Sequence, residues 1–140
     1  MKRPLLIAAL LIASLSAGAQ TTKTVETQKD KYGHVTGTAT TTTDYRGNQT
    51  TIYKDRYGHV TGKSETRTAY NGQTRTTYKD PYGHTNGTST TRQDRKGSTT
   101  IYKDRYGHTI GSSQTRTNGN KATTTYKDRY GHVTGTSTTK

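Results

Sequence analysis

Beyond residue 20 the chain has no continuous apolar run. Val, Ile and Tyr stand singly among Thr, Lys and Arg, in runs such as Thr50-Thr51-Ile52-Tyr53-Lys54 and Ser64-Glu65-Thr66-Arg67-Thr68. A period of two with residues that favour strands reads as β-structure, because successive side chains of a strand point to opposite faces. Along the strand after one turn, Val60, Gly62, Ser64, Thr66 and Thr68 fall on one face, and His59, Thr61, Lys63, Glu65 and Arg67 on the other. The first set is small and recurs as Val35, Gly37, Ala39 and as Val133, Gly135, Ser137. It is expected to pack, and the variable charged set to face water.

The runs are punctuated by two alternating turn signals. The stronger is Tyr-Gly-His, at Tyr32, Tyr57, Tyr82, Tyr106 and Tyr130, with spacings of 25, 25, 24 and 24 residues. Asp precedes each anchor by two positions, giving the turn pairs Asp30 and Gly33, Asp55 and Gly58, Asp80 and Gly83, Asp104 and Gly107, and Asp128 and Gly131. An Asp at the first turn position bonds back to the turn backbone, and a Gly at the fourth accepts a left-handed conformation. Such a turn is a common hairpin connection. Pro81 replaces Arg at the second position, where its fixed φ suits a type I turn. Midway between anchors lie Asp44-Tyr45-Arg46-Gly47, Ala69-Tyr70-Asn71-Gly72, Asp94-Arg95-Lys96-Gly97 and Thr117-Asn118-Gly119. Two turns per repeat predict an all-β repeat protein of ten short strands, an antiparallel β-hairpin meander. A β-solenoid with 24–25 residues per coil is the alternative.

Register is less determined. A three-residue loop pairs Asp55 with His59 and sets Ile52 opposite Gly62 and Tyr53 opposite Thr61; a loop one residue longer pairs Tyr53 with Val60. One slip exchanges the faces of every side chain. The change of spacing from 25 to 24 needs a bulge or a different second turn to absorb it.

Composition then narrows the class. The 140-residue chain has no Cys, Phe or Trp, eleven Tyr and a formal charge of +13. It starts with Lys2 and Arg3, an apolar run from Leu5 to Leu15, and the small-x-small signal Ala17-Gly18-Ala19. Residues 1–19 therefore read as a signal peptide and residues 20–140 as the β-repeat domain, with a net charge of about +11. The expected location is outside the cytoplasm: periplasmic, extracellular or on the cell surface, with no membrane span after leader removal. An aliphatic core is ruled out by composition, and disulfides by the missing Cys. Pairing of backbones, cross-strand Tyr and Thr contacts, or self-association must take their place.

No catalytic, cofactor or metal site is expected, and the chain reads as a non-enzyme. The five His are too far apart in a meander to share one ion. Asp55 and His59 resemble part of a triad but lack a nucleophile in a strained elbow and a pocket that excludes water. No phosphate-binding glycine loop opens a helix. Asn48-Gln49-Thr50 and Asn86-Gly87-Thr88 match the glycan acceptor pattern, as chance allows in so Thr-rich a chain. The usable signal is charge. Arg67, Arg75, Arg92 and Arg116 fall on strands or beside second turns, and Arg56, Arg105 and Arg129 beside Tyr in the anchor turns. Cations next to aromatics on a sheet suit acidic polymers.

The stretch Tyr53-Lys54-Asp55-Arg56-Tyr57-Gly58-His59-Val60-Thr61 resembles the YD repeat of Rhs-type surface and toxin-shell proteins, an aromatic, an Asp, a Gly, a basic residue and an aliphatic. Here Asp follows Tyr by two positions and the basic residue is His. The resemblance implies exported β-hairpin repeats that wrap or extend, with no chemistry of their own. Curli-like repeats are a looser likeness, in strand-turn-strand units of similar length. The expected function is a secreted structural or surface-interaction repeat protein, self-associating through open sheet edges. The alternative is a polyanion-binding module for extracellular DNA, lipopolysaccharide or acidic glycans.

Overall fold

The computed structural model describes residues 21–30 and 32–139, leaving the leader outside the described residues. Ten strands follow one another: β1 (Thr22–Lys29), β2 (Val35–Thr43), β3 (Gln49–Asp55), β4 (Val60–Thr68), β5 (Thr74–Lys79), β6 (Thr85–Asp94), β7 (Gly97–Asp104), β8 (Thr109–Asn118), β9 (Lys121–Asp128) and β10 (Val133–Thr139). They form one antiparallel sheet in sequence order, with β1 and β10 at its edges. Each strand contacts only its neighbours in sequence, so the described chain is a single open layer. This is the meander; the solenoid is set aside because equivalent strands are separated by an intervening one.

The anchor turns set the hairpins. In each, the Gly N–H donates to the Asp carbonyl at 3.0–3.1 Å and the Asp N–H to the His carbonyl at 2.9 Å. Gly33, Gly58, Gly83, Gly107 and Gly131 have φ between 86° and 91°, the left-handed region that favours glycine. The three-residue loop is therefore correct, but the register beyond it differs from both sequence readings. Lys54 pairs with Val60 and Tyr53 with Gly62, leaving Thr61 as an extra residue in a β-bulge. The same shift recurs between Gln28 and Lys29, Tyr78 and Lys79, and Tyr102 and Lys103, and between Val133 and Gly135.

The bulge corrects the face assignment of the valines. Paired residues point to the same face, so Val60 sits with Lys54 on the charged face rather than with Gly62. Val35 and Val133 likewise pair with Lys29 and Lys127. They are 44 % and 60 % exposed, and Val60 44 %. The rest of the small set stays where alternation put it. Ala39, Ser64, Thr66, Ser89 and Ser113 are buried, and Ala39 is the sole buried hydrophobic residue among those described.

What covers these small residues is tyrosine. Tyr53 stands between Ala39 and Gly62, Tyr78 between Ser64 and Gly87, Tyr102 between Ser89 and Gly111, and Tyr126 between Ser113 and Gly135. The phenol oxygens of Tyr53, Tyr78 and Tyr102 lie 3.2 Å from the hydroxyls of Ser64, Ser89 and Ser113, across the glycine. Burial pushes the Tyr78 hydroxyl above its ordinary pKa, against the hydrogen bond from Ser89. Next to each Tyr, threonine hydroxyls pair across strands at 2.8 Å: Thr41 with Thr51, Thr66 with Thr76, Thr91 with Thr100 and Thr115 with Thr124. Such cross-strand pairs contribute about 0.2–1 kcal/mol each.

Two consequences follow from the repeat length and the bulge. The change of spacing is absorbed in the second turns: Asp44 bonds to Asn48 and Ala69 to Gln73 around three-residue loops, whereas Asp94 pairs with Gly97 and Asn118 with Lys121 around two-residue loops. Successive hairpins are also staggered. Tyr53 is level with Gly62, and Lys63 with Lys79, so each repeat steps along the strands by two residues, roughly 7 Å.

The strand glycines are packing positions as well as seats for Tyr. A Cβ on Gly87 would lie 2.5 Å from the Lys103 carbonyl oxygen, and on Gly111 2.7 Å from that of Lys127. Gly87→Ala is therefore expected to lower unfolding free energy by about 1–3 kcal/mol, the usual cost of overpacking. Gly135→Ala, whose Cβ would meet nothing within 4 Å, is expected to leave it unchanged. Denaturant melts of the two variants check this contrast.

Candidate functional site

The bulge and the alternation separate the sheet into two faces of different chemistry. On one face stand the tyrosines, the paired threonines, the serines and the glycines; its strand interior carries Glu26 on β1 as its one charge among the described residues. On the other stand Lys54, Lys63, Arg67, Arg75, Lys79, Arg92, Lys103, Arg116 and Lys127, with Lys23 and Lys29 on β1. Its carboxylates in the strands are Glu65 and Asp94.

Both carboxylates are engaged. Glu65 accepts from Lys63 at 2.8 Å and from Lys79 at 3.2 Å, which relieves the repulsion of two lysines placed directly opposite each other. The hydrogen bonds from Lys63 and then Lys79 hold its carboxyl below the ordinary range. Asp94 accepts from the Arg116 guanidinium at 2.9 Å and from the Lys96 N–H at 2.8 Å. Its carboxyl is lowered by that backbone bond first, against desolvation, and further by the Arg116 charge.

The four arginines read from the sequence as polyanion contacts are all exposed and all on this face. They differ in availability. Arg116 is committed to Asp94. Arg67 and Arg75 lie directly opposite each other on β4 and β5, and among the described residues neither forms an ion pair. Arg92 stands one step diagonally from Arg75, whose direct partner is Thr90. A shallow groove of about 230 Å³ beside Arg67 and Arg75 is lined also by Glu65 and Thr77. Like charges directly opposite on a sheet are destabilising, so this pair is a place where an external anion would relieve strain. Composition could announce the basic face. The cross-strand apposition of Arg67 with Arg75 depends on the length of the second turn and could not be read from the sequence.

The other repeated constellation lies along the row of anchor turns. The Asp carboxylate of each accepts two backbone N–H groups, as Asp55 does from Tyr57 at 2.8 Å and His59 at 3.0 Å. Its second oxygen lies 3.0–3.3 Å from Nδ1 of the same turn's His. The imidazoles stay 78–79 % exposed at their side chains. Arg56, Arg105 and Arg129 stack over Tyr57, Tyr106 and Tyr130 at 4.8–5.2 Å from the ring centres, and Arg46 does the same over Tyr45. Among the described residues no three His, Asp, Glu or Cys converge as a metal group. Asp and His here hold a turn.

No protein-family model, no curated protein and no solved structure matches the chain.

Desolvation is the largest single effect on the turn Asp carboxyls and raises them. The backbone and His hydrogen bonds together outweigh it, so Asp30, Asp55, Asp80, Asp104 and Asp128 end below the usual 3.8. A carboxyl depressed on folding contributes stability above its unfolded pKa and loses it as pH falls through the folded one. The melting midpoint is therefore expected to hold from pH 7 to about 5 and to fall below pH 4, five turns acting together. Asp55→Asn with Asp104→Asn should shrink that acid-induced drop. Thermal melts followed by circular dichroism across pH 2–8 measure it.

Proposed function

We propose that this chain is a secreted, non-enzymatic structural or surface-interaction protein that associates with itself through its sheet. The observation that carries the reading is the single layer itself. Among the described residues the ten strands have no second layer and one buried hydrophobic side chain, Ala39, and β1 and β10 each have a sheet neighbour on one side only. Unpaired strand edges present rows of N–H and C=O groups that template further pairing. The hydroxyl face, with Glu26 as the one charge of its strand interiors among the described residues, leaves the sheet with little electrostatic cost to close approach on that side. Opposing this is the charge of the other face, so association should strengthen as salt screens it. Size-exclusion chromatography and electron microscopy of the exported chain test the reading. Assemblies that grow with concentration and with salt are expected, and a compact monomer at high concentration at every salt level would overturn it.

A second reading is favoured by one specific feature, the unpaired Arg67 and Arg75 opposite each other among further cations. It makes the charged face a binding surface for an acidic polymer: DNA, lipopolysaccharide or acidic glycan. Two guanidiniums can share one phosphate or carboxylate. Affinity for heparin or single-stranded DNA should fall steeply with salt, opposite in sign to self-association. Arg67→Gln with Arg75→Gln should flatten the slope of log affinity against log salt by about 1.5–2. The same double variant should melt slightly higher in low salt, because it removes the like-charge pair. Unchanged, salt-insensitive binding would remove this reading.

A further inference from the structure

From Gly135 and the two edge strands we infer that the self-association is head to tail: β10 of one copy pairs antiparallel with β1 of the next, in the register that joins β2 to β3 within the chain. The inference rests on the self-association reading and specifies its surface.

Within the chain, each strand glycine is matched to a carbonyl of the following odd-numbered strand. A Cβ on Gly37 would run into the Lys54 carbonyl oxygen; on Gly62 it would lie 3.0 Å from that of Lys79, on Gly87 2.5 Å from that of Lys103, and on Gly111 2.7 Å from that of Lys127. Gly135 is the equivalent residue of β10, and its Cβ space is empty. The residue that fills this role in the pattern is the Lys before an anchor Asp at the end of an odd-numbered strand. On the free edge of the next copy that residue is Lys29. Carrying over the β2–β3 register, in which Gly37 pairs with Asp55 and Ala39 with Tyr53, sets Gly135 opposite Asp30 of the next copy, Ser137 opposite Gln28 and Thr138 opposite Thr27. The Lys29 carbonyl then lies against Gly135.

The backbone groups of both edges suit this. The Asp30 N–H donates inward to His34. By the alternation of an antiparallel ladder, Gln28 and Glu26 also turn inward, and Lys29, Thr27 and Val25 turn their N–H and C=O groups outward. On β10 the Asp128 N–H donates to the His132 carbonyl, and Tyr126 pairs with Gly135. Gly135 and Ser137 then turn inward, and Thr136 and Thr138 outward. The outward residues of the two edges meet as Thr136 with Lys29 and Thr138 with Thr27. Faces match as well, since Ser137 and Gln28 belong to the hydroxyl face of their sheets, so the charged face continues unbroken across the joint. Because β10 and β1 are different surfaces, the contact is heterologous and propagates into a filament. The stagger would also give ten strands a shear of ten, the one-residue-per-strand ratio of eight-stranded barrels. The same two edges could thus close within one chain, but in the structure β1 and β10 make no contact.

The chain has no native Cys, which permits a direct test. Gln28 and Ser137 would form a pair without mutual hydrogen bonds, about 4.5 Å apart at Cα and within disulfide range. Oxidised Gln28→Cys/Ser137→Cys protein should run as a reducible ladder of multimers, with each single variant lacking the ladder. Thr27→Pro, which removes an outward N–H and fixes φ in an edge strand, should abolish assembly at a small cost in the monomer's melting midpoint, and Gly135→Ala should abolish it with the midpoint unchanged. A disulfide formed within one chain would overturn the inference in favour of a closed barrel. Assemblies that persist in Thr27→Pro and Gly135→Ala would overturn it while leaving self-association standing. A wild-type monomer at all concentrations would overturn both.

Discussion

The whole sheet depends on a tyrosine lying over a glycine. With one layer, no strand can bury its side chains against a second sheet or a helix, and burial must come from neighbours in the same face. A Tyr of β3 covers Gly62 and reaches Ser64; the same unit recurs at Tyr78 and Tyr102. At Gly37, Gly62, Gly87 and Gly111 a Cβ would crowd a carbonyl of the following odd-numbered strand, so glycine is what lets the strands approach there. The bulge at Thr61 supplies the register that brings the two together. Turn, bulge, glycine and tyrosine are therefore one device, and it explains why the anchor motif extends from Tyr53 to Gly62 instead of ending with the turn.

A chain built this way is held together by nearest-neighbour terms. The turns alternate with two kinds of contact, Tyr–Gly–Ser across three anchor hairpins and a Thr pair across the four second-turn hairpins, and none of these extends beyond the next strand. Repeat proteins of this kind have stability close to a sum of unit and interface terms. Two-stranded hairpins alone are marginal, and three or more strands are needed for independent stability. The end strands gain half of what an interior strand gains. An added strand from another copy would supply the missing half, which gives self-association a thermodynamic basis as well as an available surface.

Much of this was legible in the sequence, and the misses have a common cause. Asp-x-x-Gly, with Pro81 as a variant that keeps the geometry, was enough for the hairpins, the strand count and the meander. Alternation gave the small and charged faces for Gly62, Ser64, Thr66, Lys63, Glu65 and Arg67. It failed for Val60, Val35 and Val133 because a bulge between the turn and the strand flips every residue on the turn side of it. Nothing in the run His59-Val60-Thr61-Gly62 marks which residue is extra; the mark is the need of Tyr53 for a glycine directly opposite. The second turns were legible as turns but not as loops of three or two residues, since Asp94-Arg95-Lys96-Gly97 and Asp44-Tyr45-Arg46-Gly47 read alike. That one-residue difference decides which cations meet across strands, so the basic face could be foreseen and the meeting of Arg67 with Arg75 could not.

The two proposed roles use different surfaces, the sheet edges and the charged face, and meet at one opposing force. The lysines and arginines stand together opposite the face on which tyrosine and threonine pack, where Glu26 is the one charge of the strand interiors among the described residues. The same segregation leaves a face that repels its own copies. In a head-to-tail sheet that repulsion would accumulate along the assembly, since every added copy aligns its cations with those before it. An acidic polymer laid along that face would remove the repulsion and span several copies at once, so each bound segment would favour the next strand joint. Binding and assembly would then be thermodynamically linked: a polymer that neutralised the charged face would favour the proposed edge contact between β10 and β1, and assembly would in turn raise the local density of cations that the polymer meets.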